Sequence, residues 1–379
     1  MIKFMNRRAF LQVAAAVPAA LAAEDHKLPK YHVVSRFQPA AHPGMPGPYP
    51  GQVTAVHAER CIDTQTEKPD VEVVHEMMAR GMRSLTGDKD LRDCWAQFVA
   101  PSDIVGIKVN CSGAPGIMST PAVVAEIVRN VTSVGVKPDQ IWIYERFQEQ
   151  MDTVRYDRYV PAGVHIFAAE GRRGSAESYD PATYVETEFF DEDDTRSNMI
   201  RLVADRLTKI INVPNMKDHG AAGVTGCLKN IAYGSFSNVA RSHSGTVTNT
   251  YSFIGTLAMV EPLRSRTVLQ VMDGLRGVWH GGPFSYSRKF RFYPKQMMFG
   301  TDPVAIDRLL LDVIDNERKA HHALSVWDRS PAHVKPEGDH DHDPNIDAYV
   351  REPGHIEYAS RLGLGVYDLN KIKITRLEI

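Results

Sequence analysis

The densest run of residues able to do chemistry is Asn215-Met216-Lys217-Asp218-His219-Gly220-Ala221-Ala222-Gly223-Val224-Thr225-Gly226-Cys227-Leu228-Lys229-Asn230. Gly220, Gly223 and Gly226 recur at every third position. Glycine lets backbone N–H groups approach a ligand closely. A helix starting just after them would add the positive end of its dipole, and Lys217 and Lys229 would add full charge. With Thr225 and Asn230 as neutral partners, the block suits an anion: a phosphate, a carboxylate or a metal-bound oxyanion. The competing reading is a glycine-rich turn with its lysines in solvent, the commoner meaning of such spacing in isolation.

Other polar residues fall at the ends of the apolar runs that read as strands. Lys108 and Asn110 close one, Glu145 closes the next, and Asp273 follows the run Val268 to Met272. In an open α/β sheet, ligands bind in the crevice outside the carboxyl ends of the strands. His219 there offers a general base or a metal ligand, because imidazole titrates near neutrality; a structural loop histidine is the equal alternative. Glu145 and Asp273 are hard oxygen donors or acid/base groups that, with His219 and Asn110, would make a mixed nitrogen–oxygen site for a divalent metal. Equally, each carboxylate caps a helix or pairs with Arg146 or Arg276. His243 and His280 sit among small residues that admit a ligand, and both join His219 and Asp273 as candidate metal ligands.

Several further groups read as structural. Asp302 before Pro303 has the form of a helix N-cap, and Asp307 lies on an otherwise apolar helix face where it must find a partner. Cys111 and Cys227 adjoin the polar motifs but read as small apolar packing. Asp339-His340-Asp341-His342-Asp343 reads as a solvated loop. The four cysteines have no C-x-x-C spacing, so neither a disulfide framework nor an iron–sulfur motif is signalled.

The elements that must position these groups alternate. Strands are expected at Gln52 to Glu59, Asp103 to Asn110, Gln140 to Tyr144, Val164 to Ala168, Lys209 to Val213, Thr267 to Met272 and Gln296 to Phe299. Helices are expected at Val71 to Leu85, Pro121 to Val134, Ser252 to Val260 and Val304 to Val313, the second capped by Ser119 or Thr120. This alternation predicts an α/β fold in one large domain, a mainly parallel sheet with helices on both faces in three layers. The domain spans 51–379, preceded by a Pro-rich extended arm over 23–50, with 318–354 a surface excursion.

Lys108-Val109-Asn110, Thr120-Pro121, the block Asn212 to Asn230 and Gly300-Thr301-Asp302-Pro303-Val304-Ala305-Ile306-Asp307, in that order, resemble the successive motifs of the domain of unknown function 362 family. The resemblance runs from about Asp103 to Ile374. It implies no settled activity and no established catalytic residues. Many members carry proline where this chain has Val109, and many carry cysteine-rich cluster motifs that this chain lacks, which disfavours an iron–sulfur cluster.

At the N-terminus, Asn6-Arg7-Arg8-Ala9-Phe10-Leu11-Gln12 leads into an Ala/Val-rich run ending at Ala20-Leu21-Ala22. This reads as a twin-arginine signal peptide over 1–22, recognised by the twin-arginine translocation machinery, with a periplasmic or extracellular destination. The run is shorter than the roughly 20 residues needed to span a bilayer, and no later stretch approaches a permanent membrane span. Losing Lys3, Arg7 and Arg8 with the leader takes the formal charge from −2 to −5. That balance, with acid concentrated at Glu186 to Asp194 and no basic stripe, excludes a nucleic-acid binder. Composition of 43% apolar and 24% charged residues fits an ordinary globular core. Two functions follow: an enzyme acting on an anionic small molecule, or a non-catalytic accessory protein holding such a ligand or a partner.

Overall fold

The computed structural model describes residues 28–171, 176–189 and 193–379; the leader over 1–22 lies outside them. The strands among the described residues are β1 (His32–Val34), β2 (Gln52–His57), β3 (Val105–Lys108), β4 (Ile141–Phe147), β5 (His165–Glu170), β6 (Tyr179–Glu186), β7 (Arg196–Ile200), β8 (Lys209–Asn212), β9 (Asn215–His219), β10 (Gly223–Thr225), β11 (Thr267–Val278), β12 (Arg291–Phe292), β13 (Gln296–Gly300) and β14 (Lys373–Glu378). The helices are α1 (Val71–Thr86), α2 (Leu91–Ala96), α3 (Pro121–Val134), α4 (Gln148–Val154), α5 (Arg201–Asp205), α6 (Cys227–Tyr233), α7 (Thr250–Ala258), α8 (Leu263–Arg266), α9 (Pro303–Ala320) and α10 (His355–Arg361).

The main sheet runs β14-β2-β13-β11-β8-β3-β4-β5. Its centre is parallel: β11 with β8, β8 with β3, β3 with β4 and β4 with β5, while β13 is antiparallel to both neighbours. The fold is therefore α/β with a mostly parallel sheet. Side-chain alternation splits the core in two. Val105, Ile107, Ile141, Ile143 and Ile211 pack with the helices α1 to α3, whereas Ile210, Tyr144 and Met272 pack with α6, α7 and α9. Strands buried on both faces must be apolar at consecutive positions, which is why Ile210-Ile211 and Val271-Met272 occur as pairs.

Local chemistry sets the helix ends. Asp70 accepts from Glu72 and Val73 N–H to start α1, and Gly87 ends it in the left-handed conformation at φ 81°. Asp302 accepts from Ala305 N–H (2.8 Å) to start α9, and its other oxygen takes Gly51 and Val366 N–H, so one carboxylate pins three segments. The expected Ser119 or Thr120 cap on α3 is not made. Thr120 holds the N-cap position without a side-chain bond, and Ser119 Oγ instead donates to Val213 O (2.6 Å).

Two elements depart from expectation with consequences for the site. The strand expected to end at Met272 continues to Val278, since β9 pairs with its second half. Asp273 is thus inside a strand rather than at its exit. The glycine-rich block, expected as a loop running into a helix, is first a hairpin of β9 and β10, in which Asp218 pairs with Val224, and α6 follows. A separate antiparallel sheet, β1-β6-β7, was not foreseen; it lays the Pro-rich arm on the body.

The 318–354 segment is mostly at the surface, but two fully buried arginines moor it. Arg351 donates to Asp218 Oδ1 (2.6 Å) and to both oxygens of Asp347, and Arg318 Nη1 lies 3.4 Å from Asp218 Oδ1. Burial alone would raise the Asp218 carboxyl, but Arg351 and Arg318 hold it below its ordinary value. Removing one partner of such a cluster leaves buried charge uncompensated. Asp218→Asn is expected to lower unfolding free energy by about 3–5 kcal/mol in denaturant titrations. A loss under about 1 kcal/mol would show that the arginines do not depend on it.

Candidate functional site

At the carboxyl ends of β3 and β4, facing the β9–β10 hairpin, lies a cleft of about 610 Å³. Of the residues expected at a site, Lys108, Asn110, Glu145, His219, Thr225, Lys229, Asn230, His243 and His280 all line it. The segment that looked dispensable supplies one wall through His340, Asp341, Asp347 and Tyr349.

Lys217 lies beneath this surface. Its ammonium reaches Asn110 Oδ1 (2.7 Å), Ser112 O (2.6 Å) and Pro283 O (3.0 Å), one acceptor per hydrogen. Burial pushes it down to about 7, with Glu145 pulling the other way. Because Lys217 takes the oxygen of Asn110, that amide must turn its nitrogen to Asn230 Oδ1 (3.0 Å). Asn230 Nδ2 then reaches Asn212 Oδ1 (2.7 Å), and Asn212 Nδ2 reaches Gln270 Oε1 (2.7 Å). Four amides are thereby oriented in one direction from a single cation. Lys108 joins at Asn230 Oδ1 (3.5 Å) and pairs with Glu145 Oε1 at 3.4 Å, so Glu145 meets a lysine rather than the expected arginine side chain. Glu145 also accepts from the backbone N–H of Arg146.

The imidazoles have their protons assigned by their neighbours. His219 Nδ1 accepts from Ala221 N–H (3.1 Å) and Ala222 N–H (3.2 Å), so the proton sits on Nε2. Burial drives His219 well below the ordinary imidazole value, followed by Lys229 and His243. It is therefore a neutral donor to the cleft, and the general-base reading loses the lone pair it needs. His280 Nδ1 accepts from Arg318 Nη1 (3.3 Å), which also leaves the proton on Nε2, buried and without a partner among the described residues. His243 is the reverse. Its Nδ1 faces Ala240 O (3.3 Å) and must carry the proton, leaving a buried, unpartnered acceptor at Nε2. Its ring lies 5.3 Å from that of His219, and burial pushes it down to about 3.

Lys229 stands apart from the other two lysines. Its Nζ lies 4.5 Å from the centre of the Tyr233 ring and has no hydrogen-bond or carboxylate partner among the described residues. Burial, with Arg146 adding to it, pushes Lys229 down to about 7.

Three expectations are corrected. Asp273 takes no part in the cleft: its oxygens accept from Thr120 N–H (2.6 Å) and Leu275 N–H (3.2 Å), so it holds the start of α3. Without it the mixed site drawn from Asn110, Glu145, His219 and Asp273 is not assembled. No group of three His, Cys, Asp or Glu side chains among the described residues is arranged to hold a metal. The amides at the start of α6 are not open to a ligand either. Cys227 N–H (2.6 Å) and Leu228 N–H (2.9 Å) bind Asp307, the carboxylate that needed a partner on α9. Gly226 is required there because a Cβ would fall 2.0 Å from Asp307 Oδ1, and Gly223 sits at φ 78° beside Pro353, so both serve the chain's own packing. Cys111 and Cys227 are fully buried free thiols, both pushed up by burial, which suits packing rather than nucleophilic chemistry.

Gln270 and Tyr233 were missed as site residues. Gln270 did carry a signal, as an amide set inside an otherwise apolar strand, where a buried polar group must be paired. Tyr233 looks like any helix aromatic.

The fold and cleft define an α/β protein with a polar crevice at the strand carboxyl ends. Residues 105–312, more than half of the chain, match the family described as domain of unknown function (DUF362), and the chain belongs to that family. Among curated proteins none matches it.

The tautomer assignment is directly measurable. In nitrogen-15 spectra, His219 is expected to be neutral, with its proton on Nε2, at the pH where an ordinary imidazole is half charged, about 6.5. A midpoint near the ordinary imidazole value would overturn the assignment.

Proposed function

We propose that the cleft binds a small anionic molecule, in a protein exported by the twin-arginine route to the periplasm or beyond. The observation that carries the reading is Lys229, an amine held in the cleft wall with no carboxylate within ion-pair reach among the described residues. Its surroundings agree. Arg146 lines the same space, although its Nε is spent on Glu170 (2.7 Å), and His219 presents its Nε2–H. An anion there would find fixed donors whose orientation was settled during folding.

Ligand charge and Lys229 protonation are linked. The ammonium is depressed from 10.5 to about 7 in the free protein, so an anion that needs it charged must draw in a proton at higher pH. Affinity therefore rises as pH falls toward 7 and levels off below it. The slope above 7 approaches about tenfold per pH unit at most. Calorimetric titration with orthophosphate, acetate and malonate across this range is the test. Lys229→Met is expected to weaken the tightest of these by about tenfold or more, or ~1.4 kcal/mol. Equal affinity in the variant, or no binding of any of the three, would overturn the reading.

Export rests on Arg7-Arg8 and the uncharged run after them. No helix among the described residues is long and apolar enough to cross a membrane. Replacing both arginines by lysine is expected to retain the precursor inside the cell, as read by fractionation; unchanged export would remove this part of the proposal.

A further inference from the structure

We propose that Lys229 is a nucleophile, condensing with the carbonyl group of a small anionic aldehyde or keto acid to form an imine at Nζ. This rests on the anion-binding reading of the same cleft and adds the substrate class and the bond that forms.

The three lysines of the site differ in what their nitrogens can do. Lys108 is paired with Glu145, and Lys217 donates to three oxygens. Only at Lys229 is the nitrogen uncommitted among the described residues, with an aromatic face on one side and the cleft on the other. The Tyr233 hydroxyl is occupied by Ser242 Oγ at 2.6 Å, so the ring shields the amine without competing for its lone pair. An amine desolvated beside another cation is the usual way in which a lysine becomes nucleophilic near neutral pH. Arg146, Lys217, His219, His243 and His355 are electrostatically coupled to Lys229, the cleft also holds the carboxylates of Glu145, Asp218, Asp341 and Asp347, and burial with Arg146 brings the Lys229 ammonium to about 7.

Two neighbours suit the reaction. The His243 ring lies 5.6 Å from that of Tyr233 and, pushed down to about 3 by burial, adds no positive charge beside the amine. His219 offers Nε2–H to the carbonyl oxygen, where negative charge develops as the C–N bond forms. In the first step the nitrogen lone pair attacks carbon, the π pair moves to oxygen, and one amine hydrogen is transferred to that oxygen. In the second, the C–O bond breaks as the C=N bond forms, and the remaining amine hydrogen leaves with the hydroxyl as water. No oxidant, reductant or other reactant is consumed.

The full chain, incubated with glyoxylate and cyanoborohydride, tests this by trapping the imine as a carboxymethyl-lysine located by peptide mass spectrometry. Labelling at Lys229 is expected to saturate with glyoxylate and to exceed that at the exposed Lys30 and Lys137 by about tenfold or more. Calorimetry with glyoxylate alone runs in parallel. Binding with no preferential labelling of Lys229 would overturn the imine proposal and leave the anion reading standing; neither binding nor selective labelling would remove both. Both measurements use the unaltered protein, so no substitution needs to fold.

Discussion

Three buried lysine side chains, Lys108, Lys217 and Lys229, end in or beneath the cleft, and among the described residues only Glu145 lies within ion-pair reach of any of them. A buried ammonium costs several kcal/mol unless it is paired, hydrogen-bonded or deprotonated. The three lysines meet that cost with different combinations of these remedies. Lys108 has the carboxylate, and Lys217 has three oxygens supplied by Asn110 and two turns of backbone. Lys229 has neither, and its burden is relieved by a tyrosine face and a lowered proton affinity. The orientation of Asn110, Asn230, Asn212 and Gln270 follows from the first two solutions, because an amide whose oxygen is taken by an ammonium has only its nitrogen to offer onward.

Carboxylates play the complementary part. Asp307 satisfies the first amides of α6 and so fixes the helix that carries Lys229 and Asn230. Asp218, on the strand that carries Lys217 and His219, gathers Arg351 and Arg318 and holds the 318–354 segment as a wall of the cleft. Neither acid is free to act on a ligand. Each is an anchor whose loss would shift several functional side chains together.

Most of the sheet was legible in the sequence because strands covered on both faces are apolar at consecutive positions, as at Val105 to Ile107 and Ile210-Ile211. The polar groups at their ends then converge as open α/β sheets require. What stayed hidden depends on pairing between distant segments. The continuation of β11 past Met272 exists only because β9 docks beside it, and that docking moves Asp273 from a strand exit to a helix start. The β9–β10 hairpin was masked by its glycines, which signal loops when read locally. The role of Asp307 could be anticipated only as a need for a partner, since the partner lies 80 residues away.

The histidines show why residue type alone could not settle the chemistry. His219 and His243 lie side by side and were both candidate metal ligands, yet the backbone makes one a donor and the other an acceptor. With burial driving both below their ordinary values, neither changes charge near neutrality. The proton-dependent behaviour of the cleft passes to the lysines. A ligand entering it meets fixed imidazole dipoles and one amine whose charge is set by the ligand itself: an anion favours the ammonium, and a carbonyl carbon calls on the neutral form. An anionic carbonyl compound makes use of both states at the same nitrogen, first to be attracted and then to be attacked.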